Sequence, residues 1–89
     1  MRTEPMPHEV RELVVRTLQF FDVDIDGPWD LDETILIDEG RYSARSYKAL
    51  GHMAMWLIDV GIVQFYDDEG NMLRTVNLFE ELAPQRMAA

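Results

Sequence analysis

The chain contains no cysteine, which excludes disulfides, thiolate zinc sites, iron–sulfur clusters and cysteine nucleophiles. No run approaches the roughly 20 apolar residues of a membrane-spanning helix. Residues 1–9 lack the apolar segment of a signal peptide, so a cytoplasmic protein is the expectation. Positive charge is scarce: eight bases stand against 17 acids, for a net charge of −9. Such a surface is repelled at long range by nucleic-acid phosphates and by anionic membranes. Nucleic acid and membrane are therefore disfavoured as partners. The five glycines are scattered, so there is no glycine-rich loop to cradle a phosphate.

What is present fits one domain, 1–89, with 1–6 and 84–89 expected to fray at its ends. Of its 89 residues, 47% are hydrophobic, a normal share for a globular chain. A chain of this size buries only about two-thirds of the surface its unfolded form exposes, and a homodimer would bury more.

The first element is an amphipathic helix. Val10, Leu13, Val14, Thr17, Leu18 and Phe21 recur at spacings of three and four. Pro7 suits the first helical position, and Glu9 suits the positive end of the helix dipole. Glu12 and Arg16 fall one turn apart on the wet side. An acidic connection follows, broken by Gly27-Pro28. Residues 34–38, Thr-Ile-Leu-Ile-Asp, read as a strand. Residues 62–66 and 72–78 read as two strands joined by a short glycine-containing loop.

The segment 41–59 admits two readings. As a helix, Tyr47, Leu50, Ala54, Leu57 and Ile58 share a face; the order helix, strand, helix, hairpin is then winged-helix-like. As strands, 41–49 pairs with 52–58 through Leu50-Gly51, and the chain is an α+β domain: a helix packed on an antiparallel β-meander of about five strands. From Ile35 to Leu73 the features Ile35-Leu36-Ile37, Gly40-Arg41-Tyr42, Arg45 with Tyr47, Ala54-Met55-Trp56-Leu57-Ile58, Ile62, Phe65-Tyr66 and Gly70 resemble a group of small bacterial proteins of unassigned activity. In that group an N-terminal helix precedes a β-meander. The resemblance covers under half of the chain and implies strands over 54–66. It brings no functional residue with it. The α+β meander is therefore the expected fold, with the winged helix as its alternative.

Two features carry possible chemistry. The stretch Asp22-Val-Asp-Ile-Asp-Gly-Pro-Trp-Asp-Leu-Asp-Glu33 has the spacing of an EF-hand calcium loop. Asp22, Asp24, Asp26, Asp30 and Glu33 would be the side-chain ligands, with the Pro28 carbonyl as the backbone ligand. Against this, Pro28 constrains the glycine before it, Trp29 replaces the usual aliphatic residue, and a strand stands where the exiting helix belongs. A solvated acidic loop is the simpler reading. Calcium is the one cofactor this sequence suggests.

The second feature is Arg41, Arg45 and Lys48 interleaved with Tyr42 and Tyr47, a candidate contact for an anion or a partner. On a strand, alternation puts Arg41 and Arg45 on one side and Lys48 on the other. The competing reading is that these bases pair with the acids of 22–39. Ser46, His52 and Asp59 can be drawn as a triad only on paper. Trp56, Phe65, Tyr66 and the methionines at 53, 55 and 72 read as core, or as a partner surface where exposed. The leading expectation is a non-enzymatic protein-interaction or regulatory module whose partner is another protein or a second copy of itself. A calcium-binding module using 22–33 and a winged-helix DNA binder using Arg41, Arg45 and Lys48 are the alternatives.

Overall fold

The computed structural model describes residues 5–81. Of the ends expected to fray, only Pro5 and Met6 are among them; the rest lie outside. Helix α1 spans Pro7–Phe20, and its first turn is closed by the Met6 N–H donating to Glu9 Oε1 at 2.8 Å. Val10, Leu13, Val14, Thr17 and Leu18 are buried as the periodicity requires; Val15 is buried too. Glu12 and Arg16 are exposed. Asp22 ends the helix in the left-handed region, φ 65°. The N–H of Asp22 reaches the Gln19 carbonyl and that of Val23 the Leu18 carbonyl, both at 3.0 Å, so the last orphan acceptors are satisfied by a left-handed cap.

A single 3-10 turn, η1 (Pro28–Asp30), precedes five strands: β1 (Asp32–Asp38), β2 (Arg41–Ala49), β3 (His52–Leu57), β4 (Ile62–Tyr66) and β5 (Met72–Asn77). They form one antiparallel sheet in sequence order. The segment 41–59 is thus two strands and a turn, and no helix of a winged-helix kind exists there. Two-residue turns join the first three strands. Glu39-Gly40 and Leu50-Gly51 both have positive φ at each position, the geometry that matches strand twist.

Register fixes the two faces. Glu33, Tyr47 and Ala54 lie in one cross-strand row with Phe65 and Arg74; Ile35, Arg45, Trp56, Val63 and Val76 form the next. This is the helix side. Val10, Val14 and Leu18 of α1 meet Tyr47, Ala54, Trp56, Val63, Phe65 and Val76 in one core, closed at the margins by Val23, Ile25 and Leu78. The helix crosses the sheet from edge to edge. Near its start Arg11 approaches Glu33 of β1, at 3.7 Å. At its end the Phe20 and Phe21 rings sit 5.0 and 5.5 Å from the Arg74 guanidinium of β5.

Candidate functional site

The five acids of the suggested calcium loop are not gathered into one shell. Asp22 caps α1. From there to Gly27 the chain makes a tight turn at Asp24, where the Ile25 N–H donates to the Val23 carbonyl at 3.0 Å, with Val23 and Ile25 sunk into the core and Asp24 and Asp26 in solvent. Asp30 Oδ2 accepts the Asp26 N–H at 2.8 Å and so closes η1. Glu33 stands on β1, where it takes Arg45 Nη1 at 3.1 Å. Among the described residues no three His, Asp or Glu side chains converge as a metal would require. The acids alternate with Val23 and Ile25, which close one end of the core while Asp24 and Asp26 face water.

The basic stripe is also redistributed. Arg45 is opposite Ile35 on the helix side, whereas Lys48 is opposite Asp32 and Arg41 opposite Asp38, both on the other side. Simple alternation would have kept Arg41 with Arg45. A bulge prevents it: Ser43 has no partner in β1, the register shifts between Leu36 and Ile37, and one extra residue inverts every side chain beyond it. The three bases thus face or bond acids of β1. Tyr47 is withdrawn from any contact with a ligand or partner, because it is fully buried in the core. His52 begins β3 and Asp59 lies in the turn past its far end, and Ser46 points away from the helix side, so these three do not meet.

Under the start of α1 lies a polar cluster that the sequence did not reveal. Arg45 stacks 5.8 Å from the Trp56 ring while it binds Glu33. Arg45 Nε, Tyr47 Oη and Trp56 Nε1 are buried with no hydrogen-bond partner among the described residues. The Tyr47 hydroxyl is near enough to Glu33 to feel its charge without closing a hydrogen bond of good geometry. Burial, reinforced by that carboxylate, holds it far above the ordinary tyrosine range.

The opposite face of the sheet is different in kind. Leu36, Ala44, Ser46, Met53, Met55, Leu57, Ile62, Gln64 and Tyr66 occupy it. No helix among the described residues covers it. Ala44 and Ser46 are sunk between taller neighbours, while Met53, Met55, Leu57, Ile62 and Tyr66 are half-buried and Leu36 is 40% exposed. The methionines thus divide from the aromatics set beside them in the sequence: Trp56 and Phe65 are core, Met53, Met55 and Tyr66 are surface. Where that face meets the turns of β2–β3 and β4–β5 lies an open cleft of about 780 Å³, rimmed by Asp32, Lys48, His52, Tyr66, Asp67 and Asp68. Asp67 is engaged by its own loop, accepting the Glu69 and Asn71 N–H groups at 2.9 and 2.8 Å. These bonds, the Asn71 backbone first, lower its carboxyl below the usual range.

Beyond the reach of α1, the β1–β2 hairpin exposes Ile35, Ile37 and Tyr42. β1 is an outer strand of the sheet, and six of its seven residues are exposed. No helix among the described residues is long and apolar enough to cross a membrane. No family model, no curated protein and no solved structure matches this chain.

Proposed function

We propose that this chain is a non-enzymatic protein-interaction or regulatory module whose contact surface is the face of the sheet turned away from α1. The observation that carries this reading is the set Leu36, Met53, Met55, Leu57, Ile62 and Tyr66 on a face that no described helix covers. A fully buried side chain of this kind is worth about 1.5–3 kcal/mol. Half-buried as they stand, these residues keep a good part of that gain in reserve for a partner. Methionine suits the task, since its unbranched thioether repacks against varied surfaces at small cost. The charges rim the patch: Asp32, Lys48, Asp67 and Asp68 lie at its cleft end, the usual layout of an apolar centre within a polar border.

The test is a photo-crosslinking amino acid in place of Met55, used in cell extract, followed by purification of the adduct and reconstitution with the purified partner. A single saturable partner is expected, with binding weakened at least tenfold by Met55→Asp. A partner that binds Met55→Asp and the parent chain equally would refute the assignment of this face.

A further inference from the structure

We infer that β1 pairs edge to edge with β1 of a second copy, joining two sheets into one of ten strands about a two-fold axis at Leu36. This inference rests on the interaction reading for the purpose of the assembly, but it uses the strand edge and not the sheet face, so the two fail separately.

An outer strand carries a row of unpaired N–H and C=O groups, and natural sheets guard such rows with central charges, prolines, bulges or short length. The other edge, β5, has such guards. Arg74 sits in its middle, and its pairing with β4 is interrupted between Phe65 and Tyr66. β1 has none of them. It reads Asp-Glu-Thr-Ile-Leu-Ile-Asp over seven residues, with its acids at the ends. The bulge beside it places the extra residue, Ser43, in β2, which leaves the outer edge of β1 regular. Its one acid on the helix side, Glu33, is bound by Arg45.

Register selects the second copy as the occupant. A two-fold axis normal to the sheet pairs residue n with a residue at a fixed sum of numbers. Centred on Ile35, it would oppose Asp32 to Asp38 twice and Ile37 to Glu33. Centred on Thr34 or Ile37, it would set Leu36 against an aspartate. Centred on Leu36, it sets Leu36 against Leu36, Ile35 against Ile37 twice, and Thr34 against Asp38. Every apolar residue of the strand then meets another, and no two acids within the strand are opposed. The one like-charge pair, Glu33 with Glu39 of the second copy, falls at the β1–β2 turn just past the end of β1, and Glu33 is already bound by Arg45. Four isoleucines, flanked by Tyr42, which pairs with Ile37, form a strip on the helix side. Because the axis is normal to the sheet, both helices lie on one side, and the two methionine-bearing faces become one continuous surface. Two chains of net charge −9 repel, so the pairing strengthens as salt screens them.

The chain has no native cysteine, so single cysteines report the geometry. The experiment compares oxidative crosslinking of Leu36→Cys, Ile35→Cys and Met55→Cys, with sedimentation equilibrium of the parent chain and of Ile37→Lys at two salt concentrations. Directly opposed residues have Cα atoms about 4.5–5.5 Å apart, within disulfide reach. The two Ile35 positions would be about 8 Å apart, beyond it. Leu36→Cys is expected to crosslink at least tenfold faster than the other two. The parent dimer is expected to tighten with salt and to weaken at least tenfold in Ile37→Lys, a substitution at a residue 63% exposed. Circular dichroism checks that each variant folds. Fastest crosslinking at Ile35 refutes the register, and fastest crosslinking at Met55 means copies meet face to face. A parent chain monomeric at millimolar concentration in high salt overturns the inference outright.

Discussion

Replacing Tyr47 by phenylalanine removes one oxygen from the middle of the core. That oxygen is buried, and its hydroxyl finds no hydrogen-bond partner among the described residues. A buried hydroxyl left without a partner costs about 1–3 kcal/mol relative to water. Part of this would return on substitution, less a small loss for the space vacated, so Tyr47→Phe should leave stability unchanged or raise it by up to about 2 kcal/mol at pH 7. The effect grows at high pH. Tyr47 is held protonated in the fold, far above its ordinary value of 10.0, by burial first and then by Glu33. The unfolded chain ionises at that ordinary value. The contribution of the protonated group is therefore complete below pH 10 and is lost progressively as pH rises above it, at about 1.4 kcal/mol per pH unit. At pH 11 the wild type should have lost about 1.4 kcal/mol through this residue that Tyr47→Phe keeps. Urea unfolding of both proteins at pH 7 and pH 11 measures the difference. A stability gap that is the same at both pH values, or a variant clearly less stable at pH 7, would refute the reasoning and place a real acceptor on the hydroxyl.

Leu50 sits in the β2–β3 turn at φ 48° and is 67% exposed. Left-handed backbone costs a non-glycine residue roughly 1–2 kcal/mol, less for asparagine, so Leu50→Asn should raise stability by about 0.5–1 kcal/mol; an unmoved urea midpoint would count against it. Gly61 has φ +70°, and a Cβ there would run into the Phe79 ring. Gly61→Ala should cost about 1–3 kcal/mol, seen as a lowered Tm; a Tm within a degree of wild type would show that the Phe79 ring moves aside freely. Asp67→Ala removes the acceptor for the Glu69 and Asn71 N–H groups, and both should exchange with deuterium markedly faster. Since the Asp67 carboxyl is lowered from 3.8, its support is present above that pH and fades as pH falls through the folded value. Wild-type protection of these two amides should fade in acid while the variant shows no such step.

Much of the fold was legible because period and turn chemistry agreed. The three-and-four spacing of Val10, Leu13, Val14 and Leu18 named the helix face. Leu50-Gly51 and Gly70, between runs of strand formers, placed the turns. Helix propensity at Ala49, Leu50, Met53 and Met55 argued the other way, and tertiary context overrode it: Ala49 faces the core from β2, Leu50 makes the turn, and Met53 and Met55 share the opposite face of β3. The site was less legible. The spacing of Asp22, Asp24 and Asp26 is the same whether carboxylates converge on an ion or alternate with buried Val23 and Ile25. The burial of Val23 and Ile25 could be read from their aliphatic character. The side taken by Arg41 was not. It depends on a one-residue bulge at Ser43 that no residue type announces, though the structure gives the Ser43 hydroxyl a bond to the Leu36 carbonyl at 3.3 Å.

The uncovered surfaces follow from a mismatch of dimensions. A 14-residue helix is about 21 Å long and about 10 Å across. Five strands spaced by about 4.8 Å span about 19 Å. One helix therefore reaches from β1 to β5, as Arg11 and Phe20 show, but covers only a band of a single face. The rows under that band hold Tyr47, Trp56, Val63 and Phe65, all buried. Side chains beyond it have no cover from within the described chain: Ile37 and Tyr42 past the helix on its own side, and Met53, Met55 and Ile62 on the other. Such residues favour association, and the opposing force is charge. A net charge of −9 repels further copies over about a Debye length, roughly 8–10 Å at moderate salt. The acids are placed where this matters most, at both ends of β1 and around the cleft beside the methionine face. Apolar attraction acts only at contact, whereas repulsion acts at a distance. The balance therefore permits association only where the apolar surfaces match closely enough to outweigh the charge, and it discourages indiscriminate contact everywhere else.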